Sequence, residues 1–301
     1  MERVEPLFKD NIKVFFAGSE TQNQFEATKN MGIVYHLYTA YPFLERMIFE
    51  KPKAPIMAAY EWQKKNPYLI PQYIIESSKH CIQDSGLFTL MFGSQKGKKD
   101  EKFIDKWYEK LIEFTLKYGK NAICVEVDCQ KVLGAEKAWE YRQRMKNDIP
   151  NRIINVFHLE DGQKGLDRMI EFSDYIAISV PELRIYKGKT YKQDVHRLAC
   201  YIKNKKPEID IHLLGCTELK MLKQNNFCTS SDSTTYVASK RFGFVNKNHV
   251  SKIDTEKVKR LVGENVFNTV RQFNNEQNTA VILLSIYKCL NGYKKYAGNQ
   301  D

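Results

Sequence analysis

Cysteine is sparse and never paired. The seven in the chain, Cys81, Cys124, Cys129, Cys200, Cys216, Cys228 and Cys289, form no C-x-x-C or C-x-C pair. Most sit inside apolar runs, as buried free thiols do, so a structural zinc site is not expected. Histidine is scattered too: His36, His80, His158, His196, His212 and His249 include no H-x-H pair. Metal-dependent hydrolysis draws on clustered His and carboxylate ligands, so this spacing argues against it. Neither G-x-G-x-x-G nor G-x-x-x-x-G-K-[ST] occurs, which removes the dinucleotide and P-loop fingerprints. No cofactor and no metal are expected. No apolar run reaches the length of a membrane span, and the opening MERVEPLFKDNIK lacks the apolar stretch of a signal peptide. The expectation is a cytoplasmic protein with no membrane partner.

What is present is a basic, core-forming chain. Its 301 residues carry a formal charge of +11 with 43% hydrophobic and 12% aromatic residues. That composition excludes disorder. The charge favours polyanionic partners, although a lysine-rich surface kept for solubility gives the same balance.

Short apolar runs at 12–16, 33–38, 80–84, 122–127, 154–158, 175–179, 209–214 and 227–232 alternate with amphipathic stretches such as 134–147, 164–172 and 217–225. Near-continuous hydrophobicity fits parallel strands covered on both faces. Eight such strands with intervening helices predict a (β/α)8 TIM-type barrel forming one domain over 1–301, with a doubly wound sheet as the fallback. The stretch 39–79 is too long for a simple βα unit and reads as an insertion after the second strand. Residues 253–292 read as C-terminal helices. Thr217 is placed to cap the helix over 217–225.

Barrels of this kind carry function at the C-terminal ends of their strands. Reading only those positions gives Gly18-Ser19, Asp84-Ser85-Gly86, Asp128, His158, Ser179 to Glu182, Gly215 and Ser231-Asp232-Ser233. Asp84 also reads as an Asp-Ser-Gly turn, and Asp232 before Ser-Thr-Thr as an ordinary helix cap. On one rim of a basic barrel, however, two carboxylates suit glycosyl chemistry: one attacks the anomeric carbon while the other manages the leaving group's proton. His80 and His212 read as buried core residues, whereas His158 ends a strand and is a site candidate.

DSGLF at 84–88 resembles the Asp-Ser-Gly-Gly-Phe segment of the tRNA-guanine transglycosylases, and HLLGCTELKML at 212–222 with SSDSTTY at 230–236 resembles their Gly-rich and nucleophile strands. FFAGS at 15–19, VFHLEDG at 156–162 and SSDSTTYVASKRFG at 230–243 are closer to the phage and bacterial DNA 7-deazaguanine transglycosylases of the DpdA type. The resemblance spans about 12–245. It implies that Asp232 attacks C1′ of a guanosine and that Asp84 is the acid/base partner. It also implies that Phe88 stacks on the base, Asp128 reads the purine N–H edge and His158 touches the base, while Ser85, Gly86, Ser179 and Gly215 line the pocket. Leu87 departs from the second glycine of that turn, and the C-x-C-x-x-C zinc module of the tRNA enzymes is absent, which favours DNA over tRNA.

The target base must leave the duplex to reach a barrel mouth. Candidate phosphate contacts follow the strand ends: Lys96, Lys98 and Lys99; Lys187, Lys189 and Lys192; and Lys240 with Arg241. Lys203, Lys205 and Lys206 fall on the opposite side. The reading is therefore a transferase that replaces guanine in DNA with a 7-deazaguanine base such as a preQ-type precursor. Accessory proteins are possible partners, and the location is the host cytoplasm if the gene is a phage's. The alternatives are the same chemistry on tRNA and a non-catalytic nucleic-acid-binding barrel.

Overall fold

The computed structural model describes residues 12–49, 69, 71–87, 100–245 and 248–297. Eight parallel strands close into a barrel in chain order: β1 Lys13–Ala17, β2 Tyr35–Thr39, β3 His80–Asp84, β4 Ile123–Val125, β5 Ile153–Phe157, β6 Tyr175–Ser179, β7 Asp210–Leu214 and β8 Ser230–Ser233. Closure runs from β8 to β1, with Asp232 in register with Phe15. The (β/α)8 barrel expected from the apolar runs is thus the fold. The largest shift in boundary is at β8, which starts at Ser230 rather than 227.

The near-continuous hydrophobicity resolves into two faces. Phe15, Tyr35, Ile82, Val125, Val156 and Tyr175 fill the barrel interior. Alternating neighbours such as Val14, Phe16, Ile176, Ile178, Ile211 and Leu213 face outward into the helical layer. Each such side chain contributes about 1.5–3 kcal/mol by leaving water. At the N-terminal end of the strands Arg152 pairs with the buried carboxylate of Asp210.

The segment between β2 and β3 contains the helices Tyr41–Phe49 and Pro71–Glu76; the rest of the expected insertion, 50–68 and 70, lies outside the described residues. Phe43 stacks on Phe114 of the long helix Glu101–Tyr118 at 5.3 Å between ring centroids. After β8 the helix Thr235–Phe242 leads to three C-terminal helices, Thr255–Val262, Glu264–Arg271 and Glu276–Ala297. The last of these buries Leu283 and Ile286 against the strands beside Phe267 and Val270. Trimming Leu283 to Ala would cost about 2–5 kcal/mol.

The cap assigned to Thr217 is a correction. The helix Leu219–Gln224 takes Glu218 as its N-cap residue, with no side-chain cap bond. The turn at Gly215, closed by Cys216 N–H on the Leu213 carbonyl, delays the helix by one residue. Among the described residues, no helix is long and apolar enough to cross a membrane.

Candidate active site

Asp84 ends β3 and Asp232 lies in β8. Each carboxylate accepts a backbone N–H from a glycine at positive φ. Gly86 donates to Asp84, and Gly215 donates to Oδ1 of Asp232 at 2.6 Å. The two glycines have φ of 77° and 66°, a region that side-chain-bearing residues occupy at a cost. A Cβ on Gly86 would also meet Tyr41 backbone at 2.7 Å, and one on Gly215 would meet Cγ of Pro181 at 2.9 Å. The sequence therefore places glycine where a main-chain donor must turn in towards a strand-end carboxylate.

Asp232 does not cap the following helix. Thr234 holds the N-cap position there, and no side chain makes a cap bond. Oδ1 of Asp232 is also 3.3 Å from His212 Nε2. His212 Nδ1 is 2.5 Å from Ser230 Oγ, which lies 2.5 Å from the Tyr175 hydroxyl. One assignment satisfies the whole buried chain: Tyr175 donates to Ser230, Ser230 to His212 Nδ1, and His212 Nε2–H to Asp232. Both bonds to Asp232 use Oδ1, so among the described residues Oδ2 has no hydrogen-bond partner. His212 is buried, as its place inside a strand suggested, but it also orients this carboxylate.

Electrostatics sets Asp84 apart. Burial, together with the charges of Asp232 and Asp128, lifts its pKa to about 6 against the hydrogen bonds from Gly86 and the Thr39 side chain. A third carboxyl group, Glu20, accepts the Thr39 N–H at 3.3 Å on Oε2. Burial first, and then Asp84, raise its pKa to about 7. Glu20 stands two residues beyond Gly18 at the end of β1, so the strand-end reading that stopped at Gly18-Ser19 missed it by one position.

On the neighbouring arc of the mouth, His158 is held between two carboxylates. Nε2 meets Oδ1 of Asp128 at 2.8 Å and Nδ1 meets Oε2 of Glu182 at 2.9 Å. Burial alone would pull the imidazole's pKa down, but both carboxylates outweigh it and carry the pKa to about 10. Lys131 adds salt bridges to Glu160 at 3.0 Å and Glu182 at 3.2 Å. Both ring nitrogens of His158 are thus engaged by carboxylates. Ser179 is likewise engaged, its Oγ capping the helix Val180–Lys187 by accepting Glu182 N–H at 3.3 Å.

The other candidates divide. Ser85 is buried and its carbonyl accepts Trp107 Nε1–H at 3.1 Å. Leu87 faces away from the mouth, into the cluster with Trp107 and Phe43, so this departure from the glycine pattern is absorbed by outer packing. Lys187 and Lys189 are exposed beyond the helix that follows β6. The chain must still descend the 15-residue helix Tyr191–Lys205 to reach β7, a run of about 22 Å, so both remain at the mouth end. Lys192 instead pairs with Glu218. Lys203 and Lys206 bond carbonyls around Ile209 and Ser173 at the opposite end, as expected. Lys240 and Arg241 lie in the last turn of the helix Thr235–Phe242, which follows β8. Phe88, Lys96, Lys98 and Lys99 lie outside the described residues. Among the described residues, no group of three His, Cys, Asp or Glu is arranged to hold a metal ion.

No protein-family model and no curated protein matches the chain. Among solved structures, it is similar to a fructose-bisphosphate aldolase from Campylobacter jejuni, with a TM-score of 0.49 and 9% identity over 95% of this chain and 90% of that one. It is also similar to an enolase protein from the Sargasso Sea environmental genome, with a TM-score of 0.41 and 8% identity over 75% of this chain and 55% of that one.

Proposed function

We propose that the chain is a base-exchange transglycosylase that replaces guanine in DNA with a 7-deazaguanine base, through a covalent link to Asp232. The observation that carries this reading is the pair Asp84 and Asp232. They come from non-adjacent strands at one barrel mouth, near enough for the charge of Asp232 to raise the pKa of Asp84. A carboxylate held through one oxygen, beside a carboxyl group whose pKa burial and neighbouring charge lift to about 6, is the division of labour glycosyl transfer uses.

In this mechanism Oδ2 of Asp232 attacks C1′ and the C1′–N9 bond breaks, its electron pair leaving on the purine. Gly215 N–H and His212 hold Oδ1, so the attacking oxygen is presented without rotation of the carboxylate. Asp84 supplies a proton to the departing purine. It then accepts one from the incoming 7-deazaguanine, whose nitrogen displaces Asp232 from C1′. Asp128, its Oδ1 pinned by His158, offers Oδ2 to the paired N–H donors of the base. The formal charge of +11 supports a nucleic-acid substrate, and the missing cysteine module favours DNA over tRNA.

The test supplies labelled guanine or a 7-deazaguanine with either DNA or tRNA and follows incorporation. DNA should be labelled, and denaturation should trap a protein–DNA adduct that Asp232→Ala abolishes while DNA binding persists. Labelling of tRNA alone rejects the DNA substrate. Binding without exchange or adduct under any base supply turns the chain into a non-catalytic binding module.

A further inference from the structure

Glu20 has no part in the mechanism above, yet it stands beside the group that moves the proton. Three consecutive strand ends bring it there. Glu20 follows β1, Thr39 ends β2 and Asp84 ends β3, with Thr39 and Asp84 in direct register. Thr39 serves both carboxyl groups. Its backbone N–H reaches Oε2 of Glu20 at 3.3 Å, while its side chain hydrogen-bonds Asp84. The Thr39 hydroxyl is fixed in turn by Tyr41 N–H at 3.3 Å.

We infer that Glu20 and Asp84 form a proton-sharing carboxyl pair at the barrel mouth, bridged by Thr39, and that Glu20 sets the protonation state in which Asp84 meets the purine. The catalytic half of this inference rests on the transglycosylase reading; the shared proton does not.

The argument is one of charge. Among the described residues neither group is in an ion pair. The titratable groups facing them are Asp232 and Asp128 around Asp84, and Tyr236 beside Glu20. None of these supplies positive charge. Two half-buried carboxyl groups with no cation paired to either among the described residues do not both ionise until the pH is above the ordinary carboxylate range, so one of them keeps its proton towards neutrality. Burial, and after it the charge of Asp84, lift Glu20 to about 7, while burial, Asp232 and Asp128 lift Asp84 to about 6.

Such a pair suits base exchange because the reaction conserves protons. When the C1′–N9 bond breaks, the pair gives its proton to the purine and holds two negative charges, while Asp232 gives up its own charge in the ester. When the incoming base loses its N–H proton to the pair, the new C1′–N bond forms. The C1′–O bond then breaks and its electrons return to Asp232. One proton leaves and one returns, with no net exchange with water.

Glu20→Gln is the informative variant, because its amide oxygen can still accept the Thr39 N–H. Carbon-13 NMR of labelled Asp and Glu side chains, in full-length protein without substrate, reads the pair directly. Glu20→Gln should move the Asp84 transition to lower pH, Asp84→Asn should do the same to Glu20, and Thr39→Val should raise Asp84 by removing one hydrogen bond. Transitions that ignore the partner's substitution overturn the shared proton, whether or not the protein exchanges bases. If exchange is observed, Glu20→Gln should shift the alkaline limb of kcat/KM for the DNA substrate, where the proton-donating pair ionises, down by about half a pH unit or more. An unmoved limb removes Glu20 from the mechanism and leaves the transglycosylase reading intact. Absence of exchange by the wild type removes that reading and leaves the NMR result standing.

Discussion

The backbone N–H of Gly215 lies 2.6 Å from Oδ1 of Asp232. That bond fixes the carboxylate proposed to attack the sugar, and it depends on a residue that can hold a φ of 66° against Pro181. Gly215→Ala strains the turn and pushes the donor away. Exchange should fall about 10- to 100-fold, chiefly in kcat, in line with the loss of one positioned contact. DNA affinity should be unchanged. A variant with wild-type kcat would show that the bond is not used in the reaction.

His158 is a buried cation between Asp128 and Glu182, and its charge carries a stability signature. Its folded pKa of about 10 lies above the ordinary value of 6.5. The folded state therefore holds the extra proton more tightly. That contribution is fully present below pH 6.5 and is lost as the pH rises through about 10. Urea midpoints should decline between about pH 7 and pH 10, by of order 1–3 kcal/mol in stability. His158→Gln should be less stable at neutral pH and show a flatter profile. A wild-type protein equally stable across that window would contradict the protonated bridge.

How far the residues reveal this arrangement on their own depends on where the partners lie in the chain. The barrel is legible because most of its strands are apolar runs that the interior and the helical layer bury from both sides; β8, by contrast, is Ser-Ser-Asp-Ser at the end of the run 227–232. Asp84 and Asp232 are legible because they stop such runs. Glu20 is not: its partners, Thr39 and Asp84, arrive from other strands, and no local pattern marks a carboxyl group one step past a glycine turn. The role of His212 requires the lateral register of β7 and β8, which pairs it with Ser230 and brings Asp232 within reach.

Glu126 and Arg142 form a buried pair at 2.8 Å just before the Asp128 turn. Asn155 and Gln130 complete it, Asn155 Nδ2 donating to Glu126 at 2.6 Å and Arg142 donating to Gln130 at 3.2 Å. Removing one partner strands a buried charge, so Arg142→Ala should cost about 3–5 kcal/mol. Since the loop it anchors carries Asp128, the variant at a temperature where it remains folded should raise KM for the incoming base more than it lowers kcat. Thermal unfolding and steady-state exchange together check both halves. A stable variant would mean that the pair is dispensable to the fold.

Lys187 and Lys189 stay at the mouth end, on the strip that also exposes Tyr186, itself 66% accessible. Tyr186 borders the catalytic side because Lys131, which binds Glu182, lies 5.7 Å from its ring centroid. Lysines that contact phosphates release counter-ions on binding, so each contributes about 0.9 to the slope of log affinity against log salt on duplex DNA. Lys187→Ala with Lys189→Ala should reduce that slope by about 2 and weaken binding similarly for every sequence. The same pair of changes at Lys203 and Lys205, at the far end of the barrel, should leave the slope unchanged. Equal effects from both pairs would mean that the charge acts as a diffuse field rather than as contacts around the mouth.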